Sequence, residues 1–247
     1  MEVHHPHHLS HKKNWKEYFL EFLMLFLAVF LGFLAENLRE SYIERHREKE
    51  YITGLIQNLR ADTADIRFVV DRNLLKSQRW QLLLKMVNTN LSQAENSFTF
   101  QERFIGGAFL PIFRPNDATL VQLKNSGNLR LINKKDVADS ILNYDQDLKK
   151  IQSHNDLLTS SNDDIWSTAH TIIQGWIFAD TAYLDLQSRK LLKKELPALT
   201  LNPLQLQVFY GKVARMDLIL RVNRQYLIEQ KEKATNLILF LESKYHL

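Results

Sequence analysis

Residues 22–35 read FLMLFLAVFLGFLA, fourteen consecutive positions without a charged or polar side chain. A bilayer core of about 30 Å asks for about 20 helical residues, so the run is long enough only with its flanks, back through Glu21 to Tyr18 and on to Leu38. Three features favour a membrane span over residues 18–38. The stretch is apolar on every side and so offers water no face. Trp15 and Tyr18 precede it and Tyr42 follows it, the placement of interfacial aromatics. Ten central Leu, Phe and Val residues at roughly −0.3 to −0.6 kcal/mol each outweigh the cost of about 2.5–3.5 kcal/mol or less for Glu21 near one end. A buried core helix and a cleaved signal peptide are the competing readings. Phe33-Leu34-Ala35 puts a bulky ring where signal cleavage wants a small residue.

Before the span, residues 1–17 form a basic tail with His4, His5, His7, His8 and His11 within eight positions. Neutral imidazole is a common ligand for zinc, copper or nickel. Pro6 prevents a regular helical face, and no Asp or Cys completes a shell. These histidines are therefore weak metal candidates, and no cofactor is expected. Lys12, Lys13 and Lys16 precede the span, and Arg39, Arg45, Arg47 and Lys49 follow it. Three against four does not orient the helix. A short basic tail ahead of the first apolar run, as in a signal anchor, favours export of the chain beyond residue 40.

Composition narrows the rest. The chain has 247 residues with 7 Gly, 5 Pro and no Cys. So few turn formers exclude sandwiches, barrels and propellers, which turn every eight to twelve residues. The missing Cys removes disulfide scaffolds, thiolate metal sites and thiol catalysis. The expected fold is all-α: the transmembrane helix continues into a long stalk helix, and an antiparallel helical bundle comes after it.

Residues 39–88 carry apolar positions at Ile52, Leu55, Ile56, Leu59, Ile66, Val69, Val70, Leu74 and Leu75, the spacing of an amphipathic helix. Glu36, Glu40, Glu44 and Glu48 line one stripe beside Arg39, Arg45, Arg47 and Lys49, which reads as a solvated, salt-bridged stalk. A coiled-coil interface between copies is the sharper reading, although the heptads are not clean. Residues 89–133 read as an irregular loop with a short helix corner. Phe98, Phe100, Phe104, Phe109 and Phe113 would tuck an ordered loop, with a short strand, onto the helices. Gly106-Gly107 lacks any phosphate-loop context.

The corner itself runs FRPNDATLVQLKNSGNLRLI from Phe113 to Ile132. Asn116 or Asp117 can cap a helix after Pro115, Leu120 and Leu123 supply its buried stripe, and Gly127 stands where a left-handed cap is needed. Asn133 with Asp136 resembles a capping box. Residues 134–247 complete the bundle. A helix is expected from Lys134 to about Ala179, and a shorter one from Ala182 to Leu196, stopped by Pro197. Asn202 and Pro203 then start a helix that runs to the C-terminus.

The layout resembles an uncharacterised family, a domain of unknown function, of bacterial single-span membrane proteins. The resemblance rests on FLEFLMLFLAVFLGFLAENLRE in the span, then F-x-P, T-L-x-x-L and S-G-x-L-x-L-I in the corner, and covers about residues 12–145. It implies a membrane-anchored helical protein; with the export favoured by the basic tail, the expected place is the bacterial inner membrane, with the helical domain in the periplasm. It carries no activity and no catalytic positions.

Residues 187–247 hold 11 Lys and Arg against 5 Asp and Glu. Lys212 and Arg215 lie about opposite Arg221 and Arg224 on a helix, so the charge forms no binding stripe, and no nucleic-acid partner is expected. The cluster Arg189-Lys190-Leu191-Leu192-Lys193-Lys194 is a better candidate for an anionic surface. HExxH, GxSxG and P-loop patterns are all missing. Asp62 with Asp65, Asp145 with Asp147 and Asp163 with Asp164 have no His at ligand spacing, and His154 and His170 are out of line. No enzyme is expected. The reading is a membrane-anchored interaction or scaffold protein of the bacterial envelope, whose partners are the bilayer and either itself or another envelope protein. The alternative is a ligand sensor or channel-like assembly. There Glu21 would be the membrane-embedded acid, and Phe113, Arg114, Asp117, Lys124, Ser126, Gly127 and Arg130 would form the ligand or partner corner.

Overall fold

Between Trp15 and Leu84 the chain holds no proline and only Gly32 and Gly54, and it forms one unbroken helix, α1 (Trp15–Leu84), in the computed structural model. The structure describes residues 14–107, 109–173, 199 and 201–247. By internal contacts the chain divides into two units, 1–50 and 51–247.

The first unit is described from Asn14 and holds the apolar part of α1. An 18-residue window there has a mean hydropathy of 2.3, and none of it is buried. It is a candidate membrane span by length and composition. Phe22, Phe26 and Phe30, four residues apart, stack their rings at 6.2 and 6.0 Å. Of the acidic stripe, Glu36 and Glu40 are exposed, whereas Glu48 is buried.

Among its described residues, the second unit contains the rest of α1 and four further helices: α2 (Ala94–Gly106), α3 (Ala118–Asn125), α4 (Lys135–Ala169) and α5 (Pro203–Tyr245), with a 3-10 turn at Asn128–Leu131. No strand occurs among the described residues. Within the expected loop and strand at 89–115, residues Ala94–Gly106 instead form helix α2, and the irregular backbone is confined to its two flanks. Its SFTFQERF stretch alternates like a strand, but Phe100 and Phe104 are four apart and both are fully buried. Phe104 stacks on Trp80 of α1 at 6.0 Å and 4°. Burying rings of this size offsets the weak helix propensity of Phe and Thr.

Cross-helix pairs set the directions of the long helices. Arg60 meets Glu242 at 2.6 Å, and Ser77 donates to Asp217, so α1 and α5 are antiparallel. Tyr144 donates to Asp62 at 3.0 Å, and Lys76 to Asn162 at 3.2 Å, so α1 and α4 run the same way. Residues 85–134 carry the chain back along the bundle between them. Among the described helices, α4 and α5 pack most closely, tied by Lys233–Asp147 and Lys212–Asp164, each at 2.6 Å.

Helix ends follow local chemistry in part. Asn202 accepts from the Leu204 amide at 2.8 Å with Pro203 in the first turn, the start expected from the sequence. Gly127 has φ +66°, the left-handed conformation that glycine adopts without strain. Asp117 occupies the N-cap of α3 without a side-chain cap bond. The N-cap of α4 is Lys134, so the expected Asn133–Asp136 box does not start that helix; Asp136 instead meets Lys244 at 2.5 Å. The helix expected over 182–196 and the 189–194 basic cluster lie outside the described residues.

Candidate functional site

Two regions singled out by sequence can be followed in the structure, the apolar segment and the corner. Glu21 is exposed on α1, one position ahead of the apolar run, and the run's large side chains other than Leu23 are exposed with it. The five tail histidines, His4 to His11, lie outside the described residues. Among the described residues, no three His, Cys, Asp or Glu side chains converge to hold a metal.

The corner is built around Asp62 of α1, which is 2 % exposed. Its carboxylate accepts from the Asn116 backbone at 2.7 Å, from the Asn116 amide at 3.0 Å and from the Tyr144 hydroxyl at 3.0 Å. One acid thus ties the Pro115-Asn116 turn to α1 and α4 together. Burial raises Asp62 above the ordinary carboxylate value, against the lowering effect of the Asn116 and Tyr144 bonds. Tyr144 is pushed upward by its own burial and by the neighbouring Asp62 charge. The outer oxygen of Asp65 takes a second bond from the Asn116 amide at 3.1 Å.

The other predicted corner residues surround this hub without converging on one point. Phe113 is buried, and its carbonyl accepts from Asn155 of α4 at 2.8 Å. Lys124 donates to Asp145 at 2.7 Å, and Lys149 approaches the same oxygen at 3.2 Å. Burial works against ionisation of Asp145, but the two lysines outweigh it and hold the acid below its ordinary value. Ser126 closes back onto the Gln122 carbonyl. Arg114, Asp117, Gly127 and Arg130 are exposed. Asn128, unmarked by sequence, receives its place from Tyr51, to whose hydroxyl it donates at 2.6 Å. Thr119 packs on Gly54, where a Cβ would sit 3.1 Å from the Thr119 hydroxyl. Phe113 and Arg114 also border an open apolar groove of about 440 Å³, together with Phe68, Phe109 and Pro111.

What this arrangement does chemically is join elements. The buried carboxylate of Asp62 is spent on Asn116 and Tyr144, and the groove beside it is lined mainly by apolar side chains, with Asp65 and Arg114 at its border. Reading by motif missed Tyr144, Asn128 and the buried asparagines of the long helices. The available signal was polar residues falling on the apolar stripe, such as Asn73 between Val69 and Trp80.

Of the two α4-region histidines weighed from sequence, His154 lies tilted against Tyr226 at 4.5 Å, and His170 follows α4 against Trp166 at 5.7 Å. Lys76 is 3 % exposed, with its ammonium 4.1 Å from the centre of the Trp80 ring. Burial pushes its amine down to about 7. Fold and site together define a helical bundle protein with a candidate membrane-spanning helix. Comparison with protein-family models, with curated proteins and with solved structures finds no match to this chain.

Proposed function

We propose that this is a single-pass membrane protein of the bacterial envelope. It would be anchored in the inner membrane by residues 18–38, with the 51–247 unit acting as a periplasmic interaction or scaffold module. The observation that carries the reading is the apolar part of α1, whose hydropathic window of 2.3 is wholly unburied. A helix apolar on all sides and covered by no protein is stable where hydrocarbon covers it. The bonds from Asn116 and Tyr144 to the buried Asp62 carboxylate support an architectural role for the start of the Phe113–Ile132 corner.

The test is fractionation of cells that express the full chain. Carbonate washing should leave the protein in the membrane, and detergent should release it. A Leu27→Arg, Leu31→Arg pair, at roughly +2.5 to +3.5 kcal/mol per central charge, should move it to the soluble or aggregated fraction. Release of the wild-type chain by carbonate alone would refute the anchor. Native mass measurement of the detergent-solubilised protein then tests the scaffold, which predicts self-association or a stoichiometric partner. A strictly monomeric, partner-free particle would count against that part. Protease treatment of spheroplasts tests the orientation, since a periplasmic 51–247 unit is cut without lysis.

A further inference from the structure

The apolar core of the 51–247 unit is interrupted, and the interruption falls at one level on three helices. On α1 one hydrophobic cluster ends at Val69 and the next begins at Trp80; on α4 the break lies between Ile151 and Leu158, and on α5 between Leu220 and Leu227. Each gap holds a buried asparagine: Asn73 at 0 %, Asn155 at 3 % and Asn223 at 1 % exposure. Asp62 of α1 meets Tyr144 of α4, and Asn73 and Asn155 each stand eleven residues further along these parallel helices, which puts them at a similar height. Asn223 Nδ2 donates to Asn155 Oδ1 at 3.4 Å. Four residues beyond Asn73 on α1, Ser77 reaches Asp217, six residues before Asn223 on the antiparallel α5.

The three amides differ in how they are satisfied. Asn155 donates to the Phe113 carbonyl and accepts from Asn223. Asn73 has neither Nδ2 nor Oδ1 bonded to protein, and Asn223 Oδ1 is likewise unpartnered, although all three atoms are shielded from solvent. A buried amide without partners is costly, and leucine, of similar size, would fill the same place without that cost. The unmet groups comprise a donor and two acceptors. The ligand that serves both kinds at once, and is small enough for a site with no solvent opening, is water.

We propose that the Asn73–Asn155–Asn223 belt is an internal water-binding site. Water accepts from Asn73 Nδ2 and donates to the carbonyl oxygens of Asn73 and Asn223, extending the Asn155–Asn223 pair to α1. The hydrated belt also fixes the axial register of the helices. A slip of one turn would set the amides against Val69, Trp80, Leu158 or Leu220 and strip them of partners.

The experiment is water-to-side-chain cross-relaxation on the isotope-labelled full chain in detergent micelles. Laboratory- and rotating-frame spectra separate bound water from proton exchange, and triple-resonance assignment means the readout needs no variant. The Asn73 Nδ2 protons should show cross-relaxation of the sign given by a long-lived bound water. The Gln101 amide, equally buried at 0 % exposure but bonded to Ser97 Oγ at 3.3 Å, should show none. An Asn73 signal no stronger than that of Gln101 would overturn the proposal. In Asn73→Leu the network loses its link to α1, and the expected result is a second conformer visible as doubled amide peaks along α1, α4 and α5. A single native-like peak set in that variant would remove the register role.

Discussion

Lys76→Met is the perturbation whose size the structure allows to be stated most directly. The side chain is 3 % exposed. Burial moves its amine from 10.5 to about 7, and at about 1.4 kcal/mol per pH unit this displacement corresponds to on the order of 5 kcal/mol. The sign comes from linkage. A lysine whose folded value is depressed contributes fully above the unfolded value and loses that contribution as pH falls toward the folded one. The wild-type chain should therefore gain stability between pH 7.5 and 9.5 by up to about 1.4 kcal/mol per unit, relative to a variant without the amine. Methionine retains most of the stem and its contact with Trp80, but it loses the cation over the ring and the bond to Asn162, together about 1–3 kcal/mol. The net expectation at pH 7 is a variant more stable than wild type by about 1–3 kcal/mol. The assay is equilibrium unfolding of both full chains in the same detergent, across that pH range. Parallel pH profiles for the two proteins, or a variant less stable throughout, would refute the reasoning.

Other consequences are open to the same measurement. Asp62→Asn should be neutral or stabilising at pH 7, because burial raises the folded carboxyl value and stability is lost as pH rises through it; the gap to wild type should close as pH falls toward 4. Asp62→Ala should instead cost about 1–3 kcal/mol for each partner left unpaired at Asn116 and Tyr144. Gly107→Ala should destabilise by about 1–3 kcal/mol, since its Cβ would overlap the fully buried Trp80 indole. Gly211→Ala, with nothing within 4 Å on the exposed face of α5, should stabilise by about 0.5–1 kcal/mol. Gly127→Ala also has open space but starts from φ +66°, and should lose about 1–2 kcal/mol, with Gly127→Asn losing less. Unfolding midpoints on the full chain report all of these.

The unbroken run from Phe22 to Ala35, the Asn202–Pro203 start of α5 and the Gly127 corner were legible in the linear chain, because each rests on neighbouring residues. Apolar continuity, a side chain bonding its own helix start and a left-handed φ require no distant partner. Helix α2 was not legible. SFTFQERF alternates over four residues and also repeats every four, and only the packing of Phe100 and Phe104 against Trp80 and Phe209 of other helices selects the second period. The corner was legible as a turn but not as a hub. Nothing in PND indicates that Asn116 will bond an aspartate 54 residues earlier, or that Tyr144 will share that acid.

Sequence alone therefore determined what depends on composition and short-range spacing: an all-helical chain, a candidate membrane span, and where its main helices begin and turn. Tertiary structure decided the roles of the polar residues within the helices. Asp62, Lys76, Asn73, Asn155 and Asn223 sit at ordinary helical positions, and in an isolated helix each would face water. Only the packing of α1, α4 and α5 removes that water, and with it comes the requirement that each buried charge or amide find a partner across the bundle.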